Sequence, residues 1–147
     1  MKKIAFILVA TFSVISFLHA QKSEVLINDG AAVHGYDVVA YFTDSKPMKG
    51  DKQFLYQWNN ATWYFASKEH LDAFKTNPEK YAPQYGGYCA YGLCKNHKSD
   101  TDPNAWKIEN GKLYLYYNKD VKMLWEKSAM DNIMMANENW QGMKDKE

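Results

Sequence analysis

Hydrophobic positions fall into three patterns along this chain, and each predicts a different kind of element. The first is a continuous run from Ile4 to Leu18, broken only by a few small polar residues. Met1-Lys2-Lys3 precedes it, Ala20 follows it, and the sequence turns polar at Gln21. A basic start, an apolar core and a small residue before the cut describe a secretory signal peptide, so residues 1–20 are read as one. The run of 15 residues is short of the ~20 needed to cross a bilayer. Residues 21–147 are therefore expected to be exported, in the periplasm, with no stable membrane insertion after signal cleavage. No cysteine follows the apolar core, so a bacterial lipid anchor is not indicated.

The second pattern is alternation, rich in aromatics. Phe54 to Trp58 and Thr62 to Phe65 flank Asn59-Asn60 and predict a hairpin. Trp106 to Glu109 and Lys112 to Tyr117 flank Asn110-Gly111, the strongest short-range hairpin turn, and predict a second. The third pattern has helical spacing. Ser67 can cap a helix through Phe74 with Leu71, Phe74 and His70 on its inner face, and Pro78 starts a further turn ending near Tyr81. Asn118 can cap a helix carrying Val121, Leu124 and Trp125, and Ser128 can restart it through Met134, Met135 and Asn139. The methionine stripe there is read as core packing. The expected class is α+β: a small antiparallel sheet of hairpins packed with short helices and a C-terminal helical segment. No repeat or linker divides residues 21–147, so one domain is expected.

Composition narrows the function. Hydrophobic residues make up 46% of the chain and charged residues 24%, the profile of an ordinary globular protein. All 18 basic residues are lysine. Residues 21–147 hold 16 lysines against 17 acidic residues, so the net charge of +1 becomes about −1 without the signal. A near-neutral chain without arginine lacks the basic field that holds nucleic acid and the planar fork that grips phosphate. No nucleic-acid partner is expected.

Catalytic patterns are absent: Gly86-Gly87 leads into Tyr88-Cys89 and not into a phosphate-binding helix, and no nucleophile elbow or His-Glu-x-x-His pair occurs. An enzyme is not the expected reading; thiol chemistry at Cys89 would require a neighbouring base and a cleft. The chemically dense stretch is Tyr85 to His97, which holds Cys89, Cys94 and His97 within nine residues. Thiolate and imidazole donors suit copper or zinc, and His34 or His70 could complete a four-ligand site. In an oxidising compartment, the same two cysteines could instead form a structural Cys89–Cys94 disulfide. A third, less favoured reading is that they are separate structural thiols.

The sequence also resembles a known family, the YHS-domain proteins. The resemblance is carried by His34-Gly35-Tyr36-Asp37-Val38-Val39-Ala40-Tyr41-Phe42, Trp63-Tyr64-Phe65-Ala66-Ser67, Asn77-Pro78-Glu79-Lys80-Tyr81, Tyr85-Gly86-Gly87-Tyr88-Cys89-Ala90-Tyr91 and Gly111-Lys112-Leu113-Tyr114-Leu115. It covers a core of about residues 30–141 and looks like the stand-alone exported branch of the family. The resemblance implies heavy-metal binding. In the shorter YHS domains beside copper transporters, cysteines are placed in Asp-Pro-Val-Cys and Phe-Cys-Ser-x-x-Cys patterns. The matching segments here are Asp37-Val38-Val39-Ala40 and Phe65-Ala66-Ser67-Lys68-Glu69-His70, so two cysteines are replaced by Ala40 and Ala66 and the third by His70. The expectation is a module for copper or zinc in storage, delivery or sensing, partnered by the ion or by a periplasmic metal-handling protein. Cys89 is its first candidate ligand, then His34 and His70, with Cys94 and His97 as a local alternative. The competing expectation is a non-metal domain that binds a small ligand or a protein through its aromatic residues.

Overall fold

The computed structural model describes residues 24–146; the expected signal peptide lies outside the described residues. The chain is α+β. Among the described residues there are three antiparallel two-stranded sheets: β1 (Ile27–Asn28) with β2 (Ala31–Ala32), β3 (Asp51–Trp58) with β4 (Ala61–Phe65), and β5 (Asp102–Glu109) with β6 (Lys112–Tyr116). The helices are α1 (Ala40–Thr43), α2 (Lys68–Thr76), α3 (Pro78–Tyr81), α4 (Ala90–Cys94), α5 (Lys119–Glu126) and α6 (Ala129–Met143). Among the described residues, no helix is long and apolar enough to cross a membrane.

Local chemistry accounts for most boundaries. The two long hairpins turn at Asn59-Asn60 and Asn110-Gly111, where all four residues have φ between 49° and 74°. Asn and Gly tolerate that left-handed region, and its twist suits tight hairpins. Ser67 accepts a hydrogen bond from the His70 N–H to start α2, Asn77 caps α3 over Pro78, and Asn118 caps α5 through the Val121 N–H.

Strand β6 is the wall between two cores. Leu113 and Leu115 face the first, with Val38, Val39, Trp63, Phe65 and Phe74. Tyr114 and Tyr116 face the second, with Tyr85, Cys89, Leu93, Trp125 and Ala136. Because side chains alternate along a strand, four consecutive buried residues can serve two clusters.

The methionine stripe is corrected by the structure. Met130 is 78% exposed and Met134 66%, and Met135 is exposed too. The buried positions of α6 are Asn132 and Ala136, with Ile133, Trp140 and Met143 packed beside them. Asn132 is held there because its Nδ2 donates to the Trp125 carbonyl at 2.9 Å. A small residue and a satisfied amide allow close approach to α4, and Met130, Met134 and Met135 are turned outward.

Candidate functional site

Asp37 is the centre of a polar cluster inside the first core. It stands just before the apolar run that enters α1, and its carboxylate is fully buried. Its Oδ1 accepts from the Val39 N–H at 2.9 Å and the Ala40 N–H at 3.3 Å, which ties down the start of that short helix. Its Oδ2 accepts from the Ala66 N–H at 2.8 Å, beyond the end of β4. A buried carboxylate is tolerable only with such donors.

His70 supplies the fourth contact. The Ser67 cap puts His70 in the first turn of α2, where its Nδ1 lies 2.6 Å from Asp37 Oδ2. A carboxylate facing Nδ1 requires the proton there, so the neutral ring presents Nε2 as an acceptor. That Nε2 points out of the core, 3.2 Å from Thr43 Oγ1 and 3.4 Å from Asp44 Oδ2. Thr43 Oγ1 is itself 2.7 Å from Asp44 Oδ2 and 3.2 Å from the Val39 carbonyl, and its single proton serves one of them at a time. The His70 side chain is 17% exposed and that of Asp44 36%, so solvent reaches this edge of the cluster.

The three positions that the resemblance matches to cysteines of the shorter YHS domains therefore meet in space. Ala40, Ala66 and His70 all contact one carboxylate, with a backbone N–H from each alanine and a ring N–H from the histidine. No thiol remains at this locus.

The other expected ligands lie elsewhere. Cys89 sits at the head of α4, buried, and its Sγ accepts from the Tyr117 N–H at 3.3 Å. It lines a cavity of about 260 Å³ together with Tyr91, His97, Tyr117 and Val121. Cys94, at the far end of α4, donates to the Tyr91 carbonyl at 3.1 Å and lies 3.6 Å from Asn132 Oδ1. Burial pushes its thiol up from the ordinary value, which keeps it protonated. Both cysteines are free thiols, so the disulfide expectation is not met; the two sulfurs are held by different partners, one toward β6 and one toward α6. His34 has left-handed backbone (φ 60°), and its Nε2 pairs with Asp100 Oδ1 at 2.8 Å.

Of the five candidate ligands, Cys89 and His97 line the same cavity. Among the described residues, no three His, Cys, Asp or Glu side chains group so that they could hold a metal ion by themselves. The sequence reading missed Asp37, Thr43 and Asp44. Asp37 did carry a signal: it stands between Tyr36 and Val38 with no lysine beside it, unlike a carboxylate on a solvated face.

No curated protein and no solved structure matches the chain. Residues 39–85, from the residue before α1 to the turn at Tyr85, match the family model of the YHS domain. The matched stretch contains Ala40, Thr43, Asp44, Ala66 and His70 and stops before Cys89. The YHS family is associated with heavy-metal binding, and the chain is a YHS domain-containing protein.

Proposed function

We propose that this domain binds a borderline divalent ion, zinc or copper(II), through His70 Nε2 and Asp44 Oδ2. The observation that carries the reading is the Asp37–His70 pair. Metal-bound histidines characteristically donate their other ring N–H to a carboxylate, which fixes the tautomer and raises ligand basicity. Here a buried carboxylate does this at 2.6 Å. The 3.4 Å between Nε2 and Asp44 Oδ2 also suits two donors at the corners of a tetrahedron with ~2.0 Å bonds, whose edge is about 3.3 Å. Thr43 Oγ1 is a neutral oxygen within reach of the same point.

Exchange of thiolates for imidazole and carboxylate changes the preferred ion. Soft Cu(I) loses its donors, whereas Cu(II) and Zn(II) accept nitrogen and oxygen. Water would fill the remaining positions of an ion held by two protein donors, which suits delivery or sensing better than permanent storage. We place this activity outside the cytoplasm, on the pattern of residues 1–20, with a metal-handling protein of the periplasm as partner.

A second reading, a non-metal binding module, is favoured by the same cluster: Asp37 already joins the three former cysteine positions, so the fold needs no ion there. Titration of purified protein with zinc and copper(II), read by calorimetry and elemental analysis, separates the two. One ion per chain is expected, with copper(II) held more tightly, unchanged in Cys89→Ala and lost in His70→Ala and Asp44→Asn. Binding that survives His70→Ala but is lost in Cys89→Ala would move the site to the Cys89–His97 cavity and sink the His70 assignment. No stoichiometric binding at all would favour the non-metal reading.

A further inference from the structure

A second concavity, whose lining does not include His70, has a different chemistry. It has a volume of about 200 Å³ and opens where the two cores meet. Trp58 and Trp63, with ring centroids 5.9 Å apart, form one side from the β3–β4 hairpin. Tyr85 and Trp140, 6.1 Å apart and near edge-to-face, contribute from the second core. Glu24 and Glu79 also line it, and no lysine does. Among the described residues, neither carboxylate has an ion pair.

The backbone is committed to holding this shape. Tyr85 takes a left-handed conformation (φ 56°), a costly choice for a residue with a side chain. Its hydroxyl donates to Asn137 Oδ1 at 3.0 Å, which anchors the ring to α6. Gly86 follows at φ 63° and packs so closely on the Glu24 carbonyl that a Cβ would lie 1.7 Å from that oxygen. The Leu26 N–H donates to the Gly86 carbonyl at 2.8 Å, which fixes the segment bearing Glu24 beside the turn.

We propose that this cleft binds a small organic cation, a quaternary or methylated ammonium group. Aromatic faces attract such ions through their quadrupoles, and carboxylates at the rim add charge without having to strip a tight hydration shell. Trp140 already draws a cation within the fold, since the Lys98 ammonium lies 5.6 Å from its ring centroid. An anion is disfavoured by the two carboxylates, and a neutral ligand gains hydrogen bonds from them but no charge attraction. The volume admits a headgroup, not a drug-sized molecule.

The test uses choline and 3,3-dimethyl-1-butanol, which share a shape but differ in charge. Tryptophan fluorescence of the purified protein should change saturably with choline and at least about tenfold less readily with the neutral alcohol. Glu79→Gln should weaken choline binding several-fold while leaving the circular dichroism unchanged; it is the informative variant because Glu79 is exposed, whereas Trp58→Leu also removes packing on Phe74. Equal binding of the two probes, no saturable response to choline, or an unaltered Glu79→Gln titration would each overturn the assignment.

Discussion

Replacing Asp37 by asparagine tests the whole cluster with almost no change of shape. The new Oδ1 can still accept from Val39 and Ala40 at 2.9 and 3.3 Å. The amide nitrogen, however, would face the Ala66 N–H, now 2.8 Å from an acceptor, and donor would meet donor. One charge-assisted hydrogen bond is lost and a part-buried N–H loses its partner, while the bonds to Val39 and Ala40 weaken to neutral ones. Relief of the carboxylate's own desolvation offsets part of this. The net loss is about 2–4 kcal/mol, or roughly 10 °C in Tm for a domain of this size. His70 responds in a second way. Facing an N–H donor, its Nδ1 must become the acceptor, and the proton moves to Nε2. Long-range ¹H–¹⁵N correlation should find the neutral ring protonated at Nδ1 in the parent and at Nε2 in the variant. Metal binding should fall with it, because Nε2 no longer offers a lone pair. An Asp37→Asn protein within about 0.5 kcal/mol of the parent, or a parent ring protonated at Nε2, would refute the reasoning.

Two further outcomes follow from burial. Cys94, Tyr88 and Tyr114 are all held above their ordinary values by burial. A folded value above the unfolded one contributes stability that is complete below the unfolded value and is lost as pH rises through the folded one. Urea midpoints should therefore decline once the pH passes about 8.5, where thiols and then phenols of the unfolded chain ionise; a profile flat to about pH 10.5 would contradict the burial argument. Met134→Gln, at a position 66% exposed, should change stability by no more than about 0.5 kcal/mol. A loss of the size seen for core methionines, about 2–5 kcal/mol on truncation, would restore the stripe to the core.

Both hairpins and three of the helix starts were legible because their signals are local: Asn59-Asn60, Asn110-Gly111, Ser67, Pro78 and Asn118 act within three residues of themselves. The methionine stripe of α6 misled because hydrophobicity ranks Met134 above Asn132, whereas packing against α4 rewards small size and a satisfied amide. The cluster at Asp37 was illegible for another reason. Its partners Ala66 and His70 are 29 and 33 residues away, so no short window of sequence contains the cluster.

What the resemblance did supply was the list of positions that ought to meet, Ala40, Ala66 and His70. The structure supplies what they meet on. A set of cysteines can tie strand end, helix start and loop together only while metal is bound, and it makes the fold depend on the ion. Asp37 makes the same ties with hydrogen bonds that persist without an ion, at the end of which His70 still presents one nitrogen to solvent. On the proposed reading, stability and metal binding are thereby separated: Asp44→Asn should abolish the second without moving the first, whereas Asp37→Asn should damage both. If the proposal holds, the domain can release its ion and remain folded, because Asp37 and not the ion joins the segments.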